Sequence, residues 1–281
     1  MECPIQDNFE ITTSIRSDEL LVDNPSSLLP RLGKGPFYML CLHQERMLTA
    51  LSTFKWPKVA RDALSNLHKD LVDHLKQRYD DPCYGVPLKL RVTLSSSGNI
   101  DVFSIPTPGV TLGTLFPLDF DDLFTHLPTF GVFVSPITTT PSLFTSHKTT
   151  NRAQYDQVRS LIPATSNHSN EQRSTRFAEI LLINRNAEIM EGSITTPYFF
   201  RAGEWITPRA QCGGNLGTTR RYALDAGLCK EGIVTRESVQ TGERVILSNG
   251  VRGFGWGHVE ALVQIRENEM IKTDKASQAK R

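Results

Sequence analysis

Four short stretches of this chain carry side chains that can do chemistry together. In His147-Lys148-Thr149-Thr150-Asn151-Arg152 a lysine follows the apolar pair Leu143-Phe144, where Phe144 to Lys148 is expected to be a strand running inward. A neutral lysine amine is a nucleophile for aldehydes, and burial favours that form by depressing its pKa. Glu191, in Met190-Glu191-Gly192-Ser193, closes a hairpin strand before a Gly-Ser turn; a carboxylate fixed there can pair with a protonated ring nitrogen. Gly213-Gly214-Asn215-Leu216-Gly217-Thr218-Thr219-Arg220 leads into a helix. Such a turn exposes backbone N–H groups and the positive end of the helix dipole, which suits a phosphate, and Thr218 and Thr219 add hydroxyls. It lacks the GK[ST] ending of a nucleotide P-loop. Leu247-Ser248-Asn249-Gly250 reads as a strand entering a second anion-binding turn. Gly253-Phe254-Gly255 has no helical pattern behind it, which argues against a dinucleotide fingerprint. Taken singly, these features are a solvated lysine, a surface glutamate, a capped helix and a turn; their order along the chain joins them.

The elements that must position these groups follow from periodicity and breakers. Phe9 to Arg16 is β-branched and predicts a strand; Phe37 to Leu42 is a short apolar run expected to be a buried strand, and His43 to Phe54 a helix. Leu64, Leu67, Leu71 and Leu75 recur at helical spacing and predict one helix ending near Tyr79-Asp80-Asp81-Pro82. Leu88–Leu94 and Ile100–Ile105 flank Ser96-Ser97-Gly98-Asn99, a hairpin signature. From Pro106 to Pro128, prolines and glycines interrupt any long element, as in a connection between domains. Beyond it, a strand is expected over Phe130–Val134, a helix over 151–161, a polar loop over 163–174 and a helix over Thr218–Lys230. Hairpins are expected over Glu179–Glu191 and Tyr198–Thr207, and a strand over Arg244–Ser248. Strands and helices mix without a βαβ rhythm, so the expected class is mixed α/β or α+β. The expected organisation is a small N-terminal α+β domain (1–110), a linker (111–128) and a larger β-rich C-terminal domain (129–281).

Composition excludes little and suggests less. The net charge of +1 gives no argument for nucleic acid or membrane partners, and no apolar run approaches the ~20 residues of a bilayer span. The start, Met1-Glu2-Cys3-Pro4, has neither the basic nor the apolar region of a signal peptide. The five cysteines show no CxxC pair and are expected to be reduced thiols in a cytoplasmic protein. No histidine pair has ligand spacing, so no metal is expected. Asn167-His168-Ser169 is taken as a chance sequon.

With lysine, glutamate, Gly-Thr-Arg helix start and Ser-Asn turn in that order, the chain resembles the fold-type IV pyridoxal phosphate enzymes, which include the branched-chain and D-amino acid aminotransferases and the 4-amino-4-deoxychorismate lyases. His43-Gln44-Glu45-Arg46-Met47 is similar to their H-x-x-R-[LM] helix start. The resemblance covers roughly residues 9 to 262. It implies a two-domain fold with a pseudo-barrel and pyridoxal 5'-phosphate as cofactor. Lys148 would be the Schiff-base lysine and Glu191 the partner of the pyridine nitrogen. Arg46, Thr218, Thr219, Asn249 and Gly250 would surround the phosphate. Asn151 and Arg152 match the pair that follows the family lysine, and Ser14 falls where the lyases carry a hydroxyl residue facing substrate. Arg91 would contact a substrate carboxylate. The family pattern E-G-[ST]-x-[ST]-N ends here in Thr196 instead of asparagine, and the chain opens almost at the strand FEITTSIR rather than with the family's preceding G-[DE]-G segment. The spacing K-x-x-N-R favours the lyase, acting on a small-molecule amine in a homodimer. A branched-chain, D-amino acid or (R)-amine aminotransferase, or a non-catalytic cofactor-binding protein, are the alternatives.

Overall fold

A computed structural model of the chain describes residues 9–22, 35–79, 85–163 and 177–260. The expected sequon, the basic tail, most of the 23–35 loop, Cys3 and Cys83 lie outside those residues.

The first sheet is antiparallel, in the order β1 (Ile11–Ser17), β2 (Leu88–Leu94), β3 (Ile100–Pro106). Leu88, Leu90, Val92 and Leu94 alternate along β2 and are all buried, the period-two pattern of a strand with one covered face. Helices α1 (Leu40–Thr53), α2 (Lys58–Leu64) and α3 (Leu67–Arg78) provide the cover, with Leu51, Leu64, Leu67, Leu71 and Leu75 in the same core as Ile11 and Ile15. Two expectations change here. The run from Phe37 to Leu42 is not a strand: Phe37 alone bridges Ser17, Met39 turns the chain at φ 54°, and α1 begins at Leu40. A short apolar run has no period long enough to separate buried strand from buried helix start. The leucine series spans two helices, because the chain breaks at Ser65-Asn66 while keeping the leucines on one core.

The connection carries the short helix α4 (Leu112–Leu115) and a 3-10 turn (Asp121–Thr125) before β4 (Phe130–Thr138). The second, curled sheet adds β5 (Phe177–Ile183), β6 (Ile189–Gly192), β7 (Thr196–Arg201), β8 (Glu204–Pro208), β9 (Lys230–Gly232), β10 (Arg244–Asn249) and β11 (Gly253–Val259), in the order β6-β5-β4-β11-β10-β7-β8-β9. Helices α5 (Leu143–Ser146), α6 (Ala153–Arg159) and α7 (Thr218–Asp225) complete a mixed α/β fold, as expected. The segment before the lysine is not a strand. Ser142 and Thr145 form a capping box around the single turn of α5, and the chain leaves that turn extended at His147, so that Lys148 sits beside β1. The helix expected to run to Lys230 stops at Asp225, and Lys230–Gly232 is β9. Strand β11 was not foreseen. Its glycines hide it: a Cβ on Gly257 would lie 2.3 Å from the Phe130 carbonyl oxygen, so the close approach of β4 demands the residue type that weakens the strand pattern.

Strand β1 ties the two sheets together. The Thr12 amide donates to the Lys148 carbonyl (2.9 Å), the Thr150 amide to Glu10 (2.9 Å) and the Arg16 amide to Gly250 (3.1 Å). The Arg16 side chain is fully buried; its Nε donates to Asp18 Oδ2 (2.7 Å), Nη1 to the Val251 carbonyl (3.2 Å) and Nη2 to the Pro108 carbonyl (3.0 Å). Removing one charge from such a pair leaves the other buried and uncompensated. Asp18→Asn is therefore expected to destabilise the fold by about 3–5 kcal/mol, measured by urea unfolding; a loss under about 1 kcal/mol would show that the pair behaves as a solvated one.

Candidate active site

A cavity of about 220 Å³ opens between β1, the Lys148 segment, β6 and the N-terminus of α7. Of the eleven residues singled out from the sequence, ten line it: Ser14, Arg46, Arg91, Lys148, Arg152, Glu191, Thr218, Thr219, Asn249 and Gly250. Asn151 lies outside that lining, exposed one residue before Arg152. Sequence reasoning missed Thr13, His43, Lys89, Tyr155 and Asn215, whose contacts set the chemistry described next.

The amine of Lys148 is pushed down to about 7, chiefly by burial and then by the cations Arg46, Arg152 and Lys89, with Glu191 opposing. A neutral amine is therefore available near pH 7. Arg46 is itself lowered to about 10, mainly by burial. Its Nη2 donates to Thr13 Oγ1 (2.6 Å), while its buried Nε has no partner. Thr13 Oγ1 also lies 2.6 Å from His43 Nδ1. Thr13 Oγ1 thus bridges Arg46 and His43, and His43 Nε2 is buried without a partner among the described residues. Burial, followed by Arg46 and Lys148, holds His43 neutral by driving its pKa well down.

Glu191 is buried on β6 and its carboxyl is raised to about 7, with burial the main cause; hydrogen bonds from Tyr155 and the Asn215 amide and the charge of Arg152 oppose that rise. Both hydrogen bonds fall on the same oxygen: Tyr155 OH donates to Oε1 at 2.5 Å and Asn215 N at 2.8 Å. Oε2 is left to the cavity.

The anion cradle has three parts. α7 opens at Thr218 with no side-chain cap from Gly217, so its first amides remain available. Ser248 Oγ donates to Thr219 Oγ1 (2.8 Å), which fixes the start of α7 against β10. The Asn249 side chain is committed to its turn, where Oδ1 accepts from the amides of Val251 (3.0 Å) and Arg252 (2.9 Å). Only glycine fits at position 250, since a Cβ would lie 2.7 Å from His43 Cε1 and 3.0 Å from the Ser14 carbonyl.

Around the mouth, Ser14 pairs with Arg91 across β1 and β2. Lys89 lies two residues along the same face, its pKa lowered by burial and by Arg252 and Arg91. Arg152 donates to the Ser193 carbonyl (2.9 Å) and stacks over the Tyr155 ring at 4.6 Å. Ser193 belongs to the turn after Glu191. The fully buried Glu179 grips that turn, accepting from Ser193 N (2.9 Å), Ser193 Oγ (2.5 Å), Ile194 N (3.1 Å) and Thr195 Oγ1 (2.7 Å). The lining thus carries several cations and one acid, a balance suited to an anionic ligand. Among the described residues no group of three or more His, Cys, Asp or Glu could hold a metal ion, and no helix is long and apolar enough to cross a membrane.

Comparison with known proteins gives the same assignment by an independent route. The family model for Amino-transferase class IV matches residues 31–255. The aminodeoxychorismate lyase of Saccharomyces cerevisiae is 30% identical over 260 residues, covering 80% of this chain and 68% of that protein. Among solved structures, a Mesorhizobium loti protein superposes with a TM-score of 0.61 at 21% identity, covering 91% of this chain and 100% of that one. The Escherichia coli branched-chain amino acid aminotransferase superposes with a TM-score of 0.56 at 15% identity, covering 92% and 79%. The eight-stranded curled sheet, the lysine facing a buried glutamate and the family match over most of its length make this chain an enzyme of the class IV aminotransferase family, with the fold-type IV architecture.

Proposed function

We propose that this enzyme is a pyridoxal 5'-phosphate-dependent aminodeoxychorismate lyase, converting 4-amino-4-deoxychorismate to 4-aminobenzoate and pyruvate. The observation that carries the cofactor is the pairing, in one cavity, of a lysine amine lowered to about 7 with a buried carboxyl whose Oε2 is free. The cradle fits a phosphate: Arg46 keeps a buried Nε without a protein partner, His43 keeps an unpaired Nε2, and no side chain can occupy position 250. The cationic mouth of Lys89, Arg91 and Arg152 supports a substrate with two carboxylates, and the yeast relative supports the lyase over a transaminase.

Bound there, the cofactor supplies an aldehyde to hold the substrate amine and a ring that accepts electrons. Arg46, the α7 amides, Thr218, Thr219 and the Gly250 turn would hold its phosphate. Glu191 Oε2 would accept from the ring N–H. Lys148 Nζ, neutral above pH 7, takes the proton from the substrate carbon that bears nitrogen. Arg91 and Arg152 hold carboxylates, and Ser14 faces the substrate from β1. Loss of that proton and cleavage of the adjacent ring carbon–oxygen bond would expel the enolpyruvyl group, which takes up a proton to become pyruvate and leaves the ring aromatic, so no amino acceptor is consumed. Family resemblance supports a homodimer, a cytoplasmic setting and an active site between the 1–110 and 129–281 domains.

With cofactor and aminodeoxychorismate, the purified protein is expected to release pyruvate and 4-aminobenzoate in equal amounts without an added keto acid. Borohydride is expected to fix the cofactor to the peptide containing Lys148. Amine consumption that requires a keto acid would identify a transaminase instead, and a colourless protein that takes up no cofactor would end the proposal.

A further inference from the structure

Tyr155 lies on α6, seven residues beyond Lys148, and its spacing in the sequence resembles that of a core aromatic. The structure puts its hydroxyl to a different use. It is buried, donates to Glu191 Oε1 at 2.5 Å and is also within 3.1 Å of the Thr145 carbonyl. The Asn215 amide shares Oε1, so the two donors lock the carboxylate by one oxygen. Among the described residues Oε2 has no protein donor, and it belongs to a residue that lines the cavity.

A carboxylate in this position has two failings that its neighbours must correct. Burial favours the protonated acid, and a protonated acid would turn a donor toward a ligand that also donates. A free carboxylate would also rotate between its two oxygens. A hydrogen bond to the charged form addresses both, because it stabilises the ion and fixes the rotamer. We propose that Tyr155 is the positioning residue for Glu191: by occupying Oε1 it keeps the carboxylate an acceptor and leaves Oε2 for the ring N–H of the cofactor. This rests on the cofactor reading given above. The Arg152 guanidinium over the Tyr155 ring, 4.6 Å from its centroid, anchors the phenol and connects the mouth of the site to its acid.

The charged and titratable groups around Glu191 are Tyr155 and Arg152 from the α6 segment, Lys148 beside β1, Arg46 from α1 and Glu179 from β5. Of these, Tyr155→Phe changes only the donor, keeping the ring, its packing and the arginine stack. Two measurements test the proposal. In protein without cofactor, the Glu191 carboxyl is followed by carbon NMR of selectively labelled glutamate, with Glu191→Gln identifying the signal. Its midpoint is expected to rise by about one to two pH units in Tyr155→Phe, the equivalent of one hydrogen bond to a charged group. The second measurement is the affinity for pyridoxine 5'-phosphate, which keeps the ring and phosphate but has no aldehyde for Lys148. Its decline toward low pH is expected to begin about one to two units higher in the variant, with the affinity above that range restored. A purely structural tyrosine would lower affinity equally at every pH. An unmoved Glu191 midpoint, or a uniform loss of affinity, would overturn the role of Tyr155. If borohydride leaves no cofactor on Lys148 in the wild-type protein, the cofactor reading fails, and the NMR midpoint still decides whether Tyr155 holds the carboxylate ionised.

Discussion

Replacing Lys148 by alanine is expected to lower turnover by at least about 10³-fold, because under the proposed function the variant loses both the amine that captures the cofactor and the base that moves the substrate proton. Loss of the visible cofactor band and of borohydride labelling should accompany it. A band that persists unchanged would point to another lysine. The same variant has an effect on stability with a definite sign. The folded Lys148 titrates near 7 and the unfolded side chain near its ordinary 10.5. Between these values the unfolded chain binds the proton and the folded chain does not, so stability rises with pH across that window. Without cofactor, Lys148→Ala should therefore be more stable than wild type at pH 7, by something on the order of 4 kcal/mol, with the gap closing toward pH 10.5. Urea unfolding of both proteins across that range measures the gap; a pH-independent difference would show that the amine is solvated.

Glu191→Gln is expected to keep the cofactor, since phosphate and lysine contacts remain, and to cut turnover by about 10²–10⁴-fold. A neutral amide cannot hold the ring nitrogen protonated, and the ring then loses most of its pull on electrons. Turnover within about twofold of wild type would remove the glutamate from the reaction. The linkage runs opposite to that of the lysine. The folded carboxyl is raised to about 7 from its ordinary 4.5, so the folded chain binds the extra proton in that interval and stability falls as pH rises through it. The lysine burden is full below about 7 and the glutamate burden full above it, so their sum peaks near neutrality, where cofactor binding should give its largest thermal stabilisation.

How much of this was legible in the sequence depended on the range of the interactions. The lysine, the glutamate, the Gly-Thr-Thr helix start and the Asn-Gly turn each carry their meaning within a few residues, and all of them line one cavity. The local geometry around the lysine was misread, because an apolar pair before it fits the single turn of α5 as well as a strand. β11 stayed hidden because Gly257 answers to the backbone of β4, a partner more than a hundred residues away. Tyr155 and Thr13 were missed for a related reason: their roles exist only through contacts with Glu191, His43 and Arg46, and the sequence around each gives no sign of a partner 30 or more residues away.

Strand β1 meets the lysine segment at Thr12 and the Gly250 turn at Arg16 through main-chain hydrogen bonds, to which the Arg16 side chain adds one to the Val251 carbonyl. Four residue steps of extended chain, about 13 Å, thus act as a gauge between the reactive amine and the anion cradle. The length of this gauge is set by the backbone. Inserting or deleting one residue between Thr12 and Arg16 would change the separation of the two ends and flip the residues beyond it to the other face, so a change of register should displace the amine and the cradle together.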